Sequence, residues 1–123
     1  MKTFDMVLLY VQDVAESVRF YAQLLGQPPV RAAERFALFV LPGGAKIGLW
    51  WRGEIEPAAN GAPGAGEIAF AVPDQAAVEA AHADWDGRGW AILQKPTVMG
   101  FGFTCTTADP DGHRVRVFAP SQR

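Results

Sequence analysis

The chain has a single cysteine, Cys105, among its 123 residues, so no disulfide can close within it and a reducing compartment is its natural setting. Long apolar runs are missing too. Half of the residues are hydrophobic (50%), yet no stretch approaches the ~20 residues that a membrane-crossing helix needs. There is no basic excess: 11 Lys and Arg against 13 Asp and Glu leave a net charge of −2, and the basic residues are scattered, so nucleic acid has no electrostatic footprint to recognise. The start, Met1-Lys2-Thr3-Phe4-Asp5, meets an acidic residue at once and has no apolar core with a cleavage site, so no signal peptide is expected. These absences predict a cytoplasmic protein with neither membrane nor nucleic acid among its partners, and the length predicts one domain over residues 1–123.

What the chain does have is a repeat. Residues 42–50 read Pro-Gly-Gly-Ala-Lys-Ile-Gly-Leu-Trp and residues 110–118 read Pro-Asp-Gly-His-Arg-Val-Arg-Val-Phe. Position by position both are proline, small or acidic, glycine, variable, basic, β-branched, variable, aliphatic, aromatic. A second echo precedes each copy: Tyr10-Val11-Gln12-Asp13 and Ala71-Val72-Pro73-Asp74. Two similar halves, each too small to bury its own apolar face, are expected to pair around a shared cleft.

Each half reads as strand, helix, then two or three strands. Residues 4–11 are nearly all apolar and rich in β-formers, a strand buried on both faces. Asp13 then caps a helix, with Glu16 three residues on in a capping-box relation. Val14, Val18, Tyr21, Leu24 and Leu25 recur at helical spacing, Gly26 stops the helix, and Pro28-Pro29 prevents continuation. Strands follow at 35–41 and 46–51 about the turn Pro42-Gly43-Gly44. The second half predicts a strand at 67–72, a helix capped by Asp74 that runs to about Trp85 and ends at Gly87 and Gly89, and strands near 90–94, 101–107 and 113–119. Asp109-Pro110-Asp111-Gly112 turns between the last two. The modules are thus 1–52 and 67–123, joined by a Gly, Pro and Ala-rich connector at 53–66 that reads as mobile. The stretch from Arg52 onward has two readings, a plain linker or a lid over a ligand.

Val11-Gln12-Asp13 before a helix containing Phe20-Tyr21 and Leu25-Gly26, Ile68-Ala69-Phe70-Ala71-Val72 with Asp74, and Asp109-Pro110-Asp111-Gly112-His113 together resemble the vicinal oxygen chelate superfamily of glyoxalases, extradiol dioxygenases, fosfomycin-resistance enzymes and bleomycin-resistance proteins. With the duplicated plan, the resemblance covers almost the whole chain. It implies an α+β fold of paired βαβββ modules forming a curled mixed sheet around a cup-shaped cavity, and a homodimer, with cups built within one chain or between swapped modules. The fold does not fix the function, because enzymes and binders share it. In metal-using members, the first strand of each module and the strand after each proline-glycine turn supply the ligands. Carried over, those positions are Met6, Gly48, Glu67 and Arg116, a register that the internal repeat supports: Met6 aligns with Glu67 and Gly48 with Arg116. A divalent ion wants several hard oxygen or imidazole donors. A thioether, a bare backbone, one carboxylate and a permanent cation do not provide them, and the arginine would repel the ion. Neither a metal nor another cofactor is expected. His82, on the second helix, and His113, in a turn, are expected at the surface.

Strand alternation then places Met6, Leu8, Tyr10, Gly48 and Trp50 on the cup side of the first module, with Val7, Leu9, Val11, Ile47, Leu49 and Trp51 behind. On the second module it places Glu67, Ala69, Ala71, Arg114, Arg116 and Phe118 toward the cup. Phe101 and Phe103 are additional walls. An apolar, aromatic-walled cavity with an acid and one or two arginines suits planar or amphipathic molecules. The plainer readings are that Trp50, Phe101 and Phe103 fill the core, that Glu67 and Arg116 form a salt bridge with no other role, and that Gly48 makes room for a bulky neighbour or marks a bulge. Three functions follow. The favoured one is a metal-free protein that sequesters a small hydrophobic or aromatic molecule such as an antibiotic. The second is a lyase, isomerase or dioxygenase with an unconventional metal site or with Glu67 as general base. The third is a protein-interaction module whose cup is filled by its own side chains.

Overall fold

The structure, a computed structural model, describes residues 4–56, 58–59, 61 and 66–121. It divides into two compact units, Met1–Pro63 and Gly64–Arg123.

The first unit runs β1 (Met6–Val11), α1 (Val14–Leu25), β2 (Arg31–Ala32), β3 (Phe36–Val40) and β4 (Lys46–Trp51), followed by a 3₁₀ turn at Arg52–Glu54. Its strands form one open mixed sheet in the order β1-β4-β3-β2, with β1 parallel to β4 and the other neighbours antiparallel. Asp13 starts the helix by accepting the Glu16 N–H at 3.1 Å, and Gly26, at φ 68°, ends it, a conformation that costs glycine nothing. The face laid against the sheet is Val14, Ser17, Phe20 and Tyr21, whereas the predicted Val18, Leu24 and Leu25 are only half-buried. Tyr21 meets Phe39 at 6.5 Å between ring centroids. Val11, Tyr21, Phe39 and Leu49 are fully buried, each contributing about 1.5–3 kcal/mol of hydrophobic stabilisation.

The second unit repeats the order as β5 (Glu67–Ala71), α2 (Gln75–Gly87), β6 (Ile92–Met99), β7 (Gly102–Ala108) and β8 (Arg114–Pro120). Its sheet is β5-β8-β7-β6, again open and mixed. Asp74 caps α2 by accepting the Ala77 N–H at 2.9 Å. Behind this sheet lie the fully buried Val78, Cys105 and Val115 and the nearly buried Trp85 and Val117. Burial pushes the Cys105 thiol up to about 11, which leaves it protonated and unreactive at neutral pH. No helix among the described residues is long and apolar enough to cross a membrane.

Some boundaries depart from expectation. The two-residue β2 had no sequence signal. β6 runs to Met99, five residues beyond the predicted end, straight through Pro96; it is the edge strand, and its ladder is irregular between Gln94 and Thr97, where a missing N–H is tolerated. The connector is anchored at its start: the Glu54 carboxylate accepts from Trp50 Nε1 at 3.1 Å and Arg35 at 3.3 Å, and Ile55 is buried. Pro57, Asn60 and residues 62–65, on which the lid reading falls, lie outside the described residues, as do 1–3 and 122–123.

Candidate functional site

The sheet of the first unit has one face against α1 and one turned away from it. Register pairs Leu8 with Gly48 and Tyr10 with Trp50, while Gly48 and Trp50 pair across β3 with Leu38 and Phe36. Met6, Leu8, Tyr10, Gly48 and Trp50 therefore share the face opposite the helix. Leu8 and Tyr10 are among the exposed large apolar residues, at 41% and 38%. Trp50 stands edge-on to Phe36 at 6.4 Å and is fixed by its bond to Glu54, whose carboxyl is held below its ordinary value chiefly by that bond and then by Arg35. Gly48 is small because its neighbours are large: a Cβ there would come within 2.7 Å of Leu8 Cδ2 and 3.2 Å of the Phe36 ring.

The equivalent face of the second unit is polar. Arg116 Nε donates to Glu67 Oε2 at 2.8 Å and Nη2 donates to Oε1 at 3.3 Å, a two-pronged pair. Its Nη1 donates to Gln94 Oε1 at 2.9 Å and Thr104 Oγ1 at 3.2 Å. Those acceptors are themselves ordered: the Thr104 hydroxyl donates to the Val117 carbonyl at 2.8 Å, and Thr106 donates to Gln94 Oε1 at 3.3 Å. The guanidinium also lies 5.6 Å from the Phe101 ring centre, and Phe101 stands edge-on to Phe118 at 5.9 Å. The sequence paired Glu67 with Arg116; it did not single out Gln94, Thr104 or Thr106, which carry no charge to betray them.

Two residues belong elsewhere. Phe101 is in the β6–β7 turn rather than in a strand, yet still reaches Arg116. Phe103 pairs with Ala119 and Val98, in alternation with Thr104, which places it on the opposite face from Arg116. It is not a wall of this site and instead lines a cleft of about 620 Å³ at the start of α2, with Asp74, Gln75 and Pro120. A similar cleft, also about 620 Å³, lies at the start of α1 among Asp13, Val14, Arg35 and Trp51. The α1 cleft is lined by the capping Asp13 with Gln12, Glu34, Arg35 and apolar side chains, the α2 cleft by the capping Asp74 with Gln75, Ser121 and apolar ones.

His113 is also corrected. It is not a surface residue but 6% exposed, with Nδ1 2.8 Å from Asp109 Oδ2. Asp109 Oδ1 accepts the backbone N–H groups of Asp111 and His113, each at 2.9 Å. Potential donor atoms of Asp109, Asp111 and His113 lie within 4.8 Å of one another, but these bonds already account for the Asp109 carboxylate as the clamp of a tight turn. The Asp109 bond is the main reason the His113 pKa is raised. His82, on α2, is partly exposed.

The model of the glyoxalase/bleomycin resistance protein/dioxygenase superfamily matches residues 3–117. The chain belongs to this superfamily. The phenazine antibiotic resistance protein EhpR of Enterobacter agglomerans is 31% identical over 118 residues, covering 94% of this chain and 90% of that one. An Agrobacterium tumefaciens protein solved in solution by NMR is 46% identical, with a TM-score of 0.90, and covers 99% of this chain and 100% of its own. A glyoxalase-related enzyme of Fulvimarina pelagi shares the fold at a TM-score of 0.84 and 21% identity, over 97% of this chain and 88% of its own.

Membership implies a metal in the enzymes of the superfamily, and the residues here do not fit one. Met6 offers a thioether. Gly48 offers nothing, and the room for a longer side chain is taken by Leu8 and Phe36. Both oxygens of Glu67 are held by Arg116, the residue at the fourth position. Neither pair, each taken within its own unit, supplies a free hard donor to a divalent ion.

Proposed function

We propose that this protein binds and sequesters a planar aromatic or amphipathic small molecule, such as an antibiotic, without using a metal. The observation that carries the reading is the Glu67–Arg116 pair, which places an internally satisfied salt bridge where a metal enzyme would present ligands. The resistance protein EhpR, matched along nearly its full length, supports an antibiotic as the bound compound. The residues put forward as ligand contacts are Met6, Leu8, Tyr10, Gly48 and Trp50 on the first face and Glu67, Phe101 and Arg116 on the second, each face on its own grounds: aromatic surface on the one, ordered polar groups on the other. A general-base role for Glu67 would require its carboxylate to leave Arg116, so binding without turnover is the favoured reading.

The test is titration of the purified protein with a panel of planar antibiotics, phenazines first, followed by quenching of tryptophan fluorescence with and without a chelator. Saturable quenching that is indifferent to the chelator, with the compound recovered intact, is the expected result. No saturable response to any class would sink the reading, and stoichiometric Fe, Mn, Ni or Zn in elemental analysis would favour the lyase, isomerase or dioxygenase instead. We also propose a cytoplasmic homodimer, which sedimentation at micromolar concentration would show and a purely monomeric species would refute.

A further inference from the structure

We propose that Glu67 is the residue that sets the charge of the ligand: it closes Arg116 to anions, so the compound accepted at this face carries no negative charge there. The inference rests on the small-molecule reading above and deepens it. An arginine in a ligand-binding face is ordinarily a receptor for carboxylate or phosphate, because its planar fork presents paired donors. Here that fork is spent internally. Of the five N–H groups of a guanidinium, four are directed at Glu67 Oε2, Glu67 Oε1, Gln94 and Thr104.

An incoming carboxylate would therefore have to displace Glu67 or sit beside it. Displacement strands a carboxylate whose side chain is only 34% exposed, next to an arginine at 15%. Sitting beside it places two like charges within a few ångströms, repelling more strongly than they would in water. What remains attractive is the flat surface of the Arg116–Glu67 pair and the half-exposed Phe101 ring against it, which suits an uncharged heteroaromatic ring. Arg114, opposite Glu67 in the ladder, is exposed at the start of β8, where solvent and salt screen it.

The experiment compares two probes of one shape, phenazine-1-carboxamide and phenazine-1-carboxylate, by isothermal titration calorimetry at pH 7.5 and two salt concentrations. The wild-type protein is expected to bind the carboxamide more tightly at both salt concentrations. In Glu67→Gln, which frees the fork while keeping the shape, the ratio of the two affinities is expected to shift toward the carboxylate by about tenfold or more. A wild-type protein that binds the carboxylate as tightly or more tightly overturns the inference while leaving the sequestration of aromatic compounds standing, and this arm decides even if the variant folds poorly. A smaller shift in a folded Glu67→Gln overturns it as well. Silence from both probes, in wild type and variant alike, overturns the inference together with the sequestration of phenazine-like rings on which it rests.

Discussion

Position 48 of the first half and position 116 of the second are equivalents in the repeat, and they solve the same packing problem in opposite ways. In β4 the residue is glycine, and its parallel neighbour in β1 is the large Leu8. In β8 the residue is arginine, and its parallel neighbour in β5 is the small Ala69. Across the antiparallel ladder, Gly48 faces Leu38 and Arg116 faces Thr106. One backbone plan thus carries an apolar surface in one half and a hydrogen-bonded ionic cluster in the other. Side-chain volume is exchanged between adjacent strands, so the sheet keeps its packing while its chemistry changes.

The comparison can be broken most severely at the ionic cluster. Arg116→Ala leaves the partly buried Glu67, Gln94 and Thr104 without their shared donor, and a loss of about 3 kcal/mol in urea unfolding is expected. Replacing Glu67 and Arg116 together by Leu and Met should recover most of that loss. A double variant no more stable than the single one would show that the pair is not the source of the effect.

Gly48→Val should lose about 2 kcal/mol through crowding against Leu8 and Phe36, and Leu8→Ala in the same chain should return part of it. The exchange of volume between strands predicts this rescue; additive losses would contradict it. The corresponding substitution in the second half, Ala69→Leu, should disturb Arg116 and weaken ligand binding measured by fluorescence.

The turn before β8 adds a pH dependence that the turn before β4, Pro42-Gly43-Gly44, has no group to supply. The folded state raises the pKa of His113, so it binds the proton more tightly than the unfolded chain does. The resulting stability is fully present below the unfolded value of about 6.5 and fades as pH rises through the higher folded value. Melting curves from pH 5.5 to 8.5 should show this fall. His113→Asn should flatten it and cost about 1–2 kcal/mol at the acid end; an unchanged slope would remove His113 as its cause.

The smallest effect should be shared by both halves. Asp13→Ala and Asp74→Ala each remove one cap bond, and each should cost about 1 kcal/mol in thermal unfolding.

Capping carboxylates, turn glycines and the alternation of β1 and β4 were legible in the sequence because each rests on residues close along the chain. The duplicated pattern gave the βαβββ order. The polar face was only partly legible. Glu67 and Arg116 emerged from the repeat, but which face Phe103 occupies depends on how the β6–β7 turn sets the ladder, and no local residue fixes that register. His113 was misread because its burial comes from Asp109, four residues back, whose side chain folds the turn inward. Ser17 and Phe20 displaced Leu24 and Leu25 from the helix core because the sheet covers only the first two turns well.

In each sheet the strand made first is zipped to the strand made last. β5 has β8 as its partner, and β7 needs β8 as well. As the polypeptide leaves the ribosome, the first sheet can close once Trp51 is out, whereas Glu67–Ala71 must wait until Arg114–Pro120 emerges. During that interval half of the molecule is built and the other half is an open strand without its mate. Premature termination between Trp51 and β8 would therefore leave Glu67–Ala71 as an unpaired, aggregation-prone strand.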